Sequence, residues 1–362
     1  MNKKTIILIP LFIVVGTLLI LNSCSNTSKK SDKKEAQKTV YASEVIPFFN
    51  DWNLILGDGS NAGNANDFEH KDFFYTVNQG ETNWVVFKAP NAGDTHGTSN
   101  NTRTELAQAK KWYPATADDK LTATLKVMNV SATGDARVAA SYSVVIGQIH
   151  SADGHENEPL KIFYKKFPGH TKGSVFWHYE INTAGDDNSG RWDYSTAIWG
   201  HDFSVVGSEE NTYPDEPEDG IELGEEFSYE VEVKDGVMNL KFTSEGHEAK
   251  SFTKNLIESE YKTTSAIPKQ TQELFVPIGQ DGIERENAYA DEGLFFKLGS
   301  YNQTNGKSPE INKNWCSGAE TYGGDIKKQY ETGNYAEVWF KTASIYVNDA
   351  AVSNKGYFTK ND

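Results

Sequence analysis

Along much of the chain, apolar and polar positions alternate one for one. Leu121, Ala123, Leu125 and Val127 interleave with Thr122, Thr124, Lys126 and Met128. Phe227, Tyr229, Val231 and Val233 interleave in the same way with Ser228, Glu230 and Glu232. A period of two sends successive side chains to opposite faces of a strand. The second run meets Asp235-Gly236, a pair that tolerates the positive φ angles of a tight turn, and returns through Val237 to Phe242 as a hairpin. Tyr335–Val347 predicts one long strand near the end. Helix-period stretches are scarce, and 251–261 is the best of them. Many strands and few helices predict an all-β protein of the sandwich or jelly-roll kind. Two stretches are expected as long loops on that scaffold: 89–102, rich in Asn, Gly, Thr and Ser, and 186–219, with Gly, Pro, Trp and a dense acidic run.

Three strand-like stretches put reactive side chains on one parity. In 295–303, Phe295, Lys297, Gly299, Tyr301 and Gln303 share a face, while Phe296 and Leu298 lie opposite and face a core. In Arg103-Thr104-Glu105-Leu106, Arg103 and Glu105 share a face opposite Leu106. In Gln148-Ile149-His150, Gln148 and His150 share a face opposite Ile149. Lys, Tyr and Gln along one strand face bury little, but they suit a polar ligand. Were the three strands neighbours in one sheet, Arg, Glu, Gln, His, Lys and Tyr would converge on a single patch. An isolated Tyr or His in a strand is ordinarily structural, and Arg103 with Glu105 alone would be an ordinary ion pair. The weight lies in their coincidence.

The motifs RTEL at 103–106, QIH at 148–150 and FFKLGSYNQ at 295–303, in that order, resemble the three signature strands of the alginate lyases of polysaccharide lyase family seven. The family's second motif Arg is Ala107 here, and Phe295 and Leu298 replace a Tyr and an Ala. The resemblance implies a β-jelly roll with an active cleft on one sheet and cleavage of alginate by β-elimination. Such a reaction removes the C5 proton beside a carboxylate and expels the O4 substituent, so the carboxylate's charge must be neutralised. Arg103 and Gln148 are the residue types for that, His150 for a base near neutral pH, and Tyr301 for the acid. The resemblance implies the same roles. Glu105, Lys297 and Gln303 are the expected substrate-binding set, Glu105 chiefly by orienting Arg103. Ile149 resembles members that accept guluronate-containing blocks. The length between the second and third motifs, above all 186–219, leads to the expectation of a cleft closed at one end by an acidic wall and of attack from a chain end. A non-catalytic, lectin-like jelly roll is the alternative on the same face. A glycoside hydrolase would need a pair of cleft carboxylates, and no Glu-x-Asp-x-x-Glu strand motif is present.

Composition adds less. The chain has 362 residues and a formal net charge of −16, which argues against a nucleic-acid partner. An anionic sugar then requires a locally positive cleft, for which Arg103 and Lys297 are the candidates. The 19 Phe, 17 Tyr and 8 Trp supply a core and leave rings for stacking on sugars. No metal or cofactor is expected: His150 and His155 lack a third ligand at a telling spacing, and Asp281-Gly282 is a turn rather than a calcium loop. Lys3-Lys4, an apolar run to Leu21, and Leu21-Asn22-Ser23-Cys24 describe a secretory leader over 1–23 that resembles a bacterial lipobox, with Cys24 as the lipidated residue. Residues 24–39 are expected as a solvated tether and 40–362 as the catalytic domain, a monomer held to the cell envelope by its lipid. Cys316 then has no partner for an intrachain disulfide and is expected to be structural.

Overall fold

The computed structural model describes residues 40–96, 99–152, 158–181, 192–257, 289 and 292–352. The leader, Cys24, the tether, His155 and Asp281-Gly282 lie outside the described residues. Two antiparallel sheets pack face to face. The first runs in the order β10 (Trp192–Trp199), β9 (Lys172–Ile181), β8 (Leu160–Lys165), β7 (Ser143–Ser151), β15 (Leu294–Asn302), β5 (Arg103–Gln108), β1 (Trp52–Ile55), β2 (Asn61–Gly63), with β11 (Ile221–Glu222) on β9. The second runs β14 (Lys250–Asn255), β13 (Val237–Ser244), β12 (Phe227–Lys234), β6 (Asp118–Asn129), β16 (Tyr335–Val347), β4 (Thr82–Pro90), β3 (Phe74–Gln79), with β17 (Ala350–Val352) on β16. This is the predicted all-β jelly roll.

The alternating runs are what bury the space between the sheets. Along β12 the buried and half-buried positions alternate without a break. Tyr229, Val231 and Val233 join Leu121, Leu125, Phe340, Phe296 and Leu298 in one core. Each such side chain is worth roughly 1.5–3 kcal/mol of burial. The hairpin turns where expected, with Asp235 at φ 49° and Gly236 at φ 80°, two positive angles that match the strand twist.

Three expectations are corrected. Residues 250–255 form β14, not a helix, because β13 offers a free edge and pairs Leu240 with Phe252, whose ring packs on Trp177 and Phe242. Local helix-like spacing loses to that pairing, and 258–261 lies outside the described residues. The stretch 186–219 is not one long loop: Trp192–Trp199 is β10, paired antiparallel with β9 through a register shift between Ala197 and Trp199, while 186–191 lies outside the described residues. The loop expected at 89–102 begins two residues later, since β4 runs to Pro90.

Candidate active site

The third motif strand lies between the first two. β15 pairs with β5 on one side and β7 on the other, setting Tyr301 opposite Arg103, Gly299 opposite Glu105, Lys297 opposite Gln148, and Phe295 opposite His150. The parity reading holds across all three strands: Phe296, Leu298, Leu106 and Ile149 are fully buried in the core, and the reactive side chains occupy the other face. A bulge between Leu298 and Tyr301 adjusts the register against β7, with Gly299 at φ 147°. A Cβ there would stand 2.5 Å from the Thr104 carbonyl oxygen, so glycine lets the two backbones close up.

Glu105 organises the cluster. It is 1 % exposed and takes three donors: Arg103 at 3.2 Å, Lys297 at 2.6 Å, and the Gln148 amide. Burial pushes the Glu105 carboxyl up, but Lys297 and Arg103, with the hydrogen bonds from Lys297 and Gln148, outweigh it and hold it below the usual carboxylate range. Lys297 is brought down to about 8, first by burial and then by the Arg103 charge, against the pull of Glu105. Burial also lowers Arg103, but Tyr301 and Glu105 reverse this and leave it above its ordinary value. Gln148, itself buried, gives an amide hydrogen to Glu105.

The two proton-handling candidates are fixed in different ways. His150 Nδ1 lies 2.6 Å from the Ser151 carbonyl oxygen, which can only accept, so Nδ1 carries the proton and Nε2 is the basic nitrogen. The ring stacks on Phe295 at 5.3 Å and is held down to about 4, first by burial and then by Lys297 and Arg103, against Glu158. The Tyr301 hydroxyl shares a hydrogen bond of 3.1 Å with Ser99 Oγ, and the Arg103 guanidinium lies 3.7 Å from the centre of its ring. Gln303 is buried beside them, its amide donating to the Tyr301 carbonyl at 3.3 Å.

Arg103, His150, Lys297, Tyr301 and Gln303 line a cleft of about 1170 Å³, and Glu105 and Gln148 are buried behind its lining. On one flank it continues over β5, β1 and β2, where Asn53, Asn61 and Ala107 line it and none of the three carries a charge. On the other flank it meets an aromatic cluster. Phe163 of β8 and Phe176 of β9 stack at 5.0 Å on the cleft face, Phe203 caps both, and Trp315 lies 5.0 Å from Phe203. Segments 135–140, 203–207 and 312–317 are laced into a wall by backbone bonds from Gly207 to Ala136, Ala140 to Asn314 and Asp135 to Ser317. Lys165 pins it from beneath, donating to the Ala139 and Val205 carbonyls. The wall is mixed rather than acidic: Ala139, Phe203, Val206 and Trp315 line the cleft beside Arg137, Ser204, Asn312 and Asn314, and of the stretch expected to be an acidic wall Asp193 lines the cleft while Glu216 and Asp219 accept from backbone N–H groups of Thr171, Lys172 and Gly200. Cys316 is buried in the wall with its thiol pushed up by burial, in keeping with a structural role.

Residues 47–347 match the protein family described as Alginate lyase. This chain belongs to the alginate lyase family. It is a polysaccharide lyase that acts on alginate. A curated alginate lyase of Klebsiella pneumoniae is 27% identical over 302 residues, spanning 72% of this chain and 83% of its own. The crystal structure of an exolytic PL7 alginate lyase from Zobellia galactanivorans is 62% identical with a TM-score of 0.77, covering 86% of this alginate lyase and 99% of that chain. The Klebsiella pneumoniae alginate lyase structure, at 21% identity, TM-score 0.57 and coverage of 83% and 96%, shares the fold. The lectin-like alternative is not favoured. Sequence reasoning did not single out Ser99, Glu158, Lys161, Phe203 or Trp315 of this alginate lyase. Ser99 lies in the loop flagged ahead of Arg103; the others carry no motif.

Proposed function

We propose that this alginate lyase trims alginate chains from an end, with Arg103, Gln148, His150 and Tyr301 as its catalytic set. Arg103 and the Gln148 amide neutralise the uronate carboxylate as charge develops at C5. His150 Nε2 takes the C5 proton, and the Tyr301 hydroxyl protonates the departing O4. When the C5 proton lies on the other face, Tyr301 serves as both acid and base. Lys297 and Gln303 hold the sugar, and Glu105 acts through the three donors it gathers. Gathered cations give an acidic protein a local site for a polyanion.

The observation that carries the mode of attack is the wall of Phe203 and Trp315, because a chain that meets it can extend only over β5, β1 and β2. The relative from Zobellia galactanivorans is described as exolytic, which supports the same reading. Viscosity followed against double-bond absorbance tests it: terminal trimming gives rising absorbance and small unsaturated products while viscosity falls slowly. A fast early viscosity drop with mixed oligomers rejects terminal attack.

Two further readings rest on the sequence. Ile149 supports a preference for guluronate-containing blocks; it lies in the core behind His150, so its effect is indirect, and faster cleavage of polymannuronate would reject it. The Leu21–Cys24 pattern supports a lipid anchor at Cys24 in the bacterial envelope, tested by release of a Cys24→Ser variant from membranes.

A further inference from the structure

The carboxylate beside His150 belongs to none of the three motifs. Glu158 precedes β8, and its Oε1 stands 3.4 Å from His150 Nε2. Its Oε2 lies 3.2 Å from Lys161 Nζ, which also meets Glu180 Oε2 at 2.5 Å and Asp193 Oδ1 at 3.7 Å. Lys161 is 3 % exposed although it lines the cleft, so Glu158 is tied to a buried cation on the cleft face of β8.

We propose that Glu158 is a positioning residue for proton abstraction, the fixed counter-charge that makes room for an imidazolium on His150. This rests on the reading of His150 as the base. When Nε2 takes the C5 proton, the C5–H pair stays on carbon and then forms the double bond as O4 leaves with the Tyr301 proton. His150 becomes a cation at that moment. Among the described residues, the charged groups facing it are Lys297 and Arg103, both cations, and Glu158; the Ser151 carbonyl holds Nδ1, and Phe295 covers the ring. A buried cation made beside two others is disfavoured, and Glu158 is the group that opposes them. Burial and the two cations already hold the imidazole at about 4 with Glu158 in place. Without it, the base is weaker still. Glu158 also faces the Arg103 and Lys297 charges, which places it on the same centre.

The test is Glu158→Gln, which keeps shape and removes charge, in the full-length enzyme on alginate. Direct titration of His150 by NMR should move down by about one pH unit or more, and the acid limb of kcat/KM should move with it. kcat should fall roughly threefold to tenfold, as a Brønsted dependence requires, while KM should hold or fall, since a carboxylate that repels a uronate is gone. Glu158→Asp keeps the charge and should restore most of the shift; it also serves if the Gln variant folds poorly. A titration that stays in place, or a KM that rises with kcat unchanged, overturns the proposal. A His150→Ala enzyme that keeps its turnover would instead overturn the assignment of the base.

Discussion

Replacing Glu105 with Gln removes the carboxylate that three donors share while keeping its shape. Lys297 then loses an attraction at 2.6 Å, about 6 kcal/mol at an effective dielectric of about 20, which is over four pKa units. Its folded pKa therefore drops from about 8 to below 6, and Lys297 sheds its proton near neutrality. That release limits the damage. A lysine whose folded pKa lies below its ordinary 10.5 costs stability while the pH is under the folded value, and the cost is relieved as pH rises past it. In the wild type the cost is about 3.4 kcal/mol at pH 7, from a gap of about 2.5 units. In the variant it is set by pH itself, about 1.36 kcal/mol for every unit below 10.5, or about 4.8 kcal/mol at pH 7. The increment through Lys297 is thus about 2.7 kcal/mol at pH 6, about 1.4 at pH 7 and about 0.4 at pH 8. Arg103 keeps its charge throughout, so its lost partner adds a pH-independent loss of about 1–3 kcal/mol. Urea unfolding of both proteins at pH 6, 7 and 8, with matching m-values, measures the difference. The gap should widen as pH falls. A gap that stays flat, or widens towards pH 8, refutes the view that Lys297 is charged because Glu105 holds it so.

Tyr301→Phe should lower turnover by about a hundredfold or more with only a small drop in thermal stability, because the ring remains on Arg103 and the loss is the hydroxyl with its bond to Ser99; near-full activity would remove it as the acid. The kcat/KM profile should fall as pH drops through about 4, where His150 takes its second proton, and a limb near 6.5 would show that the base lies elsewhere or is not desolvated. Gly299→Ala should cost about 3 kcal/mol or more in urea unfolding, since the new Cβ meets the Thr104 carbonyl oxygen at 2.5 Å and the Glu105 Cα at 2.8 Å at a positive φ; a loss under about 1 kcal/mol would mean that β5 and β15 can part without cost.

The period-two pattern made the faces legible. Lys297 and Tyr301 could be set against Phe296 and Leu298 from spacing alone, and so could the hairpin at Asp235-Gly236, because both depend on local geometry. Adjacency was not legible, since nothing near residue 295 states that β15 enters between strands formed far earlier. The wall was hidden for a related reason: Phe203 and Trp315 sit in irregular segments, where one aromatic looks like another until the segments meet. Glu158 is invisible for want of any pattern, and 251–261 misleads because Phe252 and Leu256 satisfy helical spacing while the edge of β13 decides the outcome.

The middle place of β15 has a consequence for how the molecule comes into being. Ser99 and Tyr301, joined by a hydrogen bond, are 202 residues apart along the chain, whereas Glu105 and Gln148 are 43 apart. Contacts of such long range form late, after the entropy of closing the intervening chain has been met. Until residues 294–302 arrive, β5 and β7 each present a row of unpaired backbone groups towards the gap between them. Open edges of that kind invite pairing with another chain. A nascent or clipped chain ending before β15 therefore lacks more than Lys297 and Tyr301: it is a sheet with a slot in its middle, catalytically silent and prone to aggregate. Turnover in this enzyme is in that sense a report that synthesis has passed β15 and that the slot has been filled.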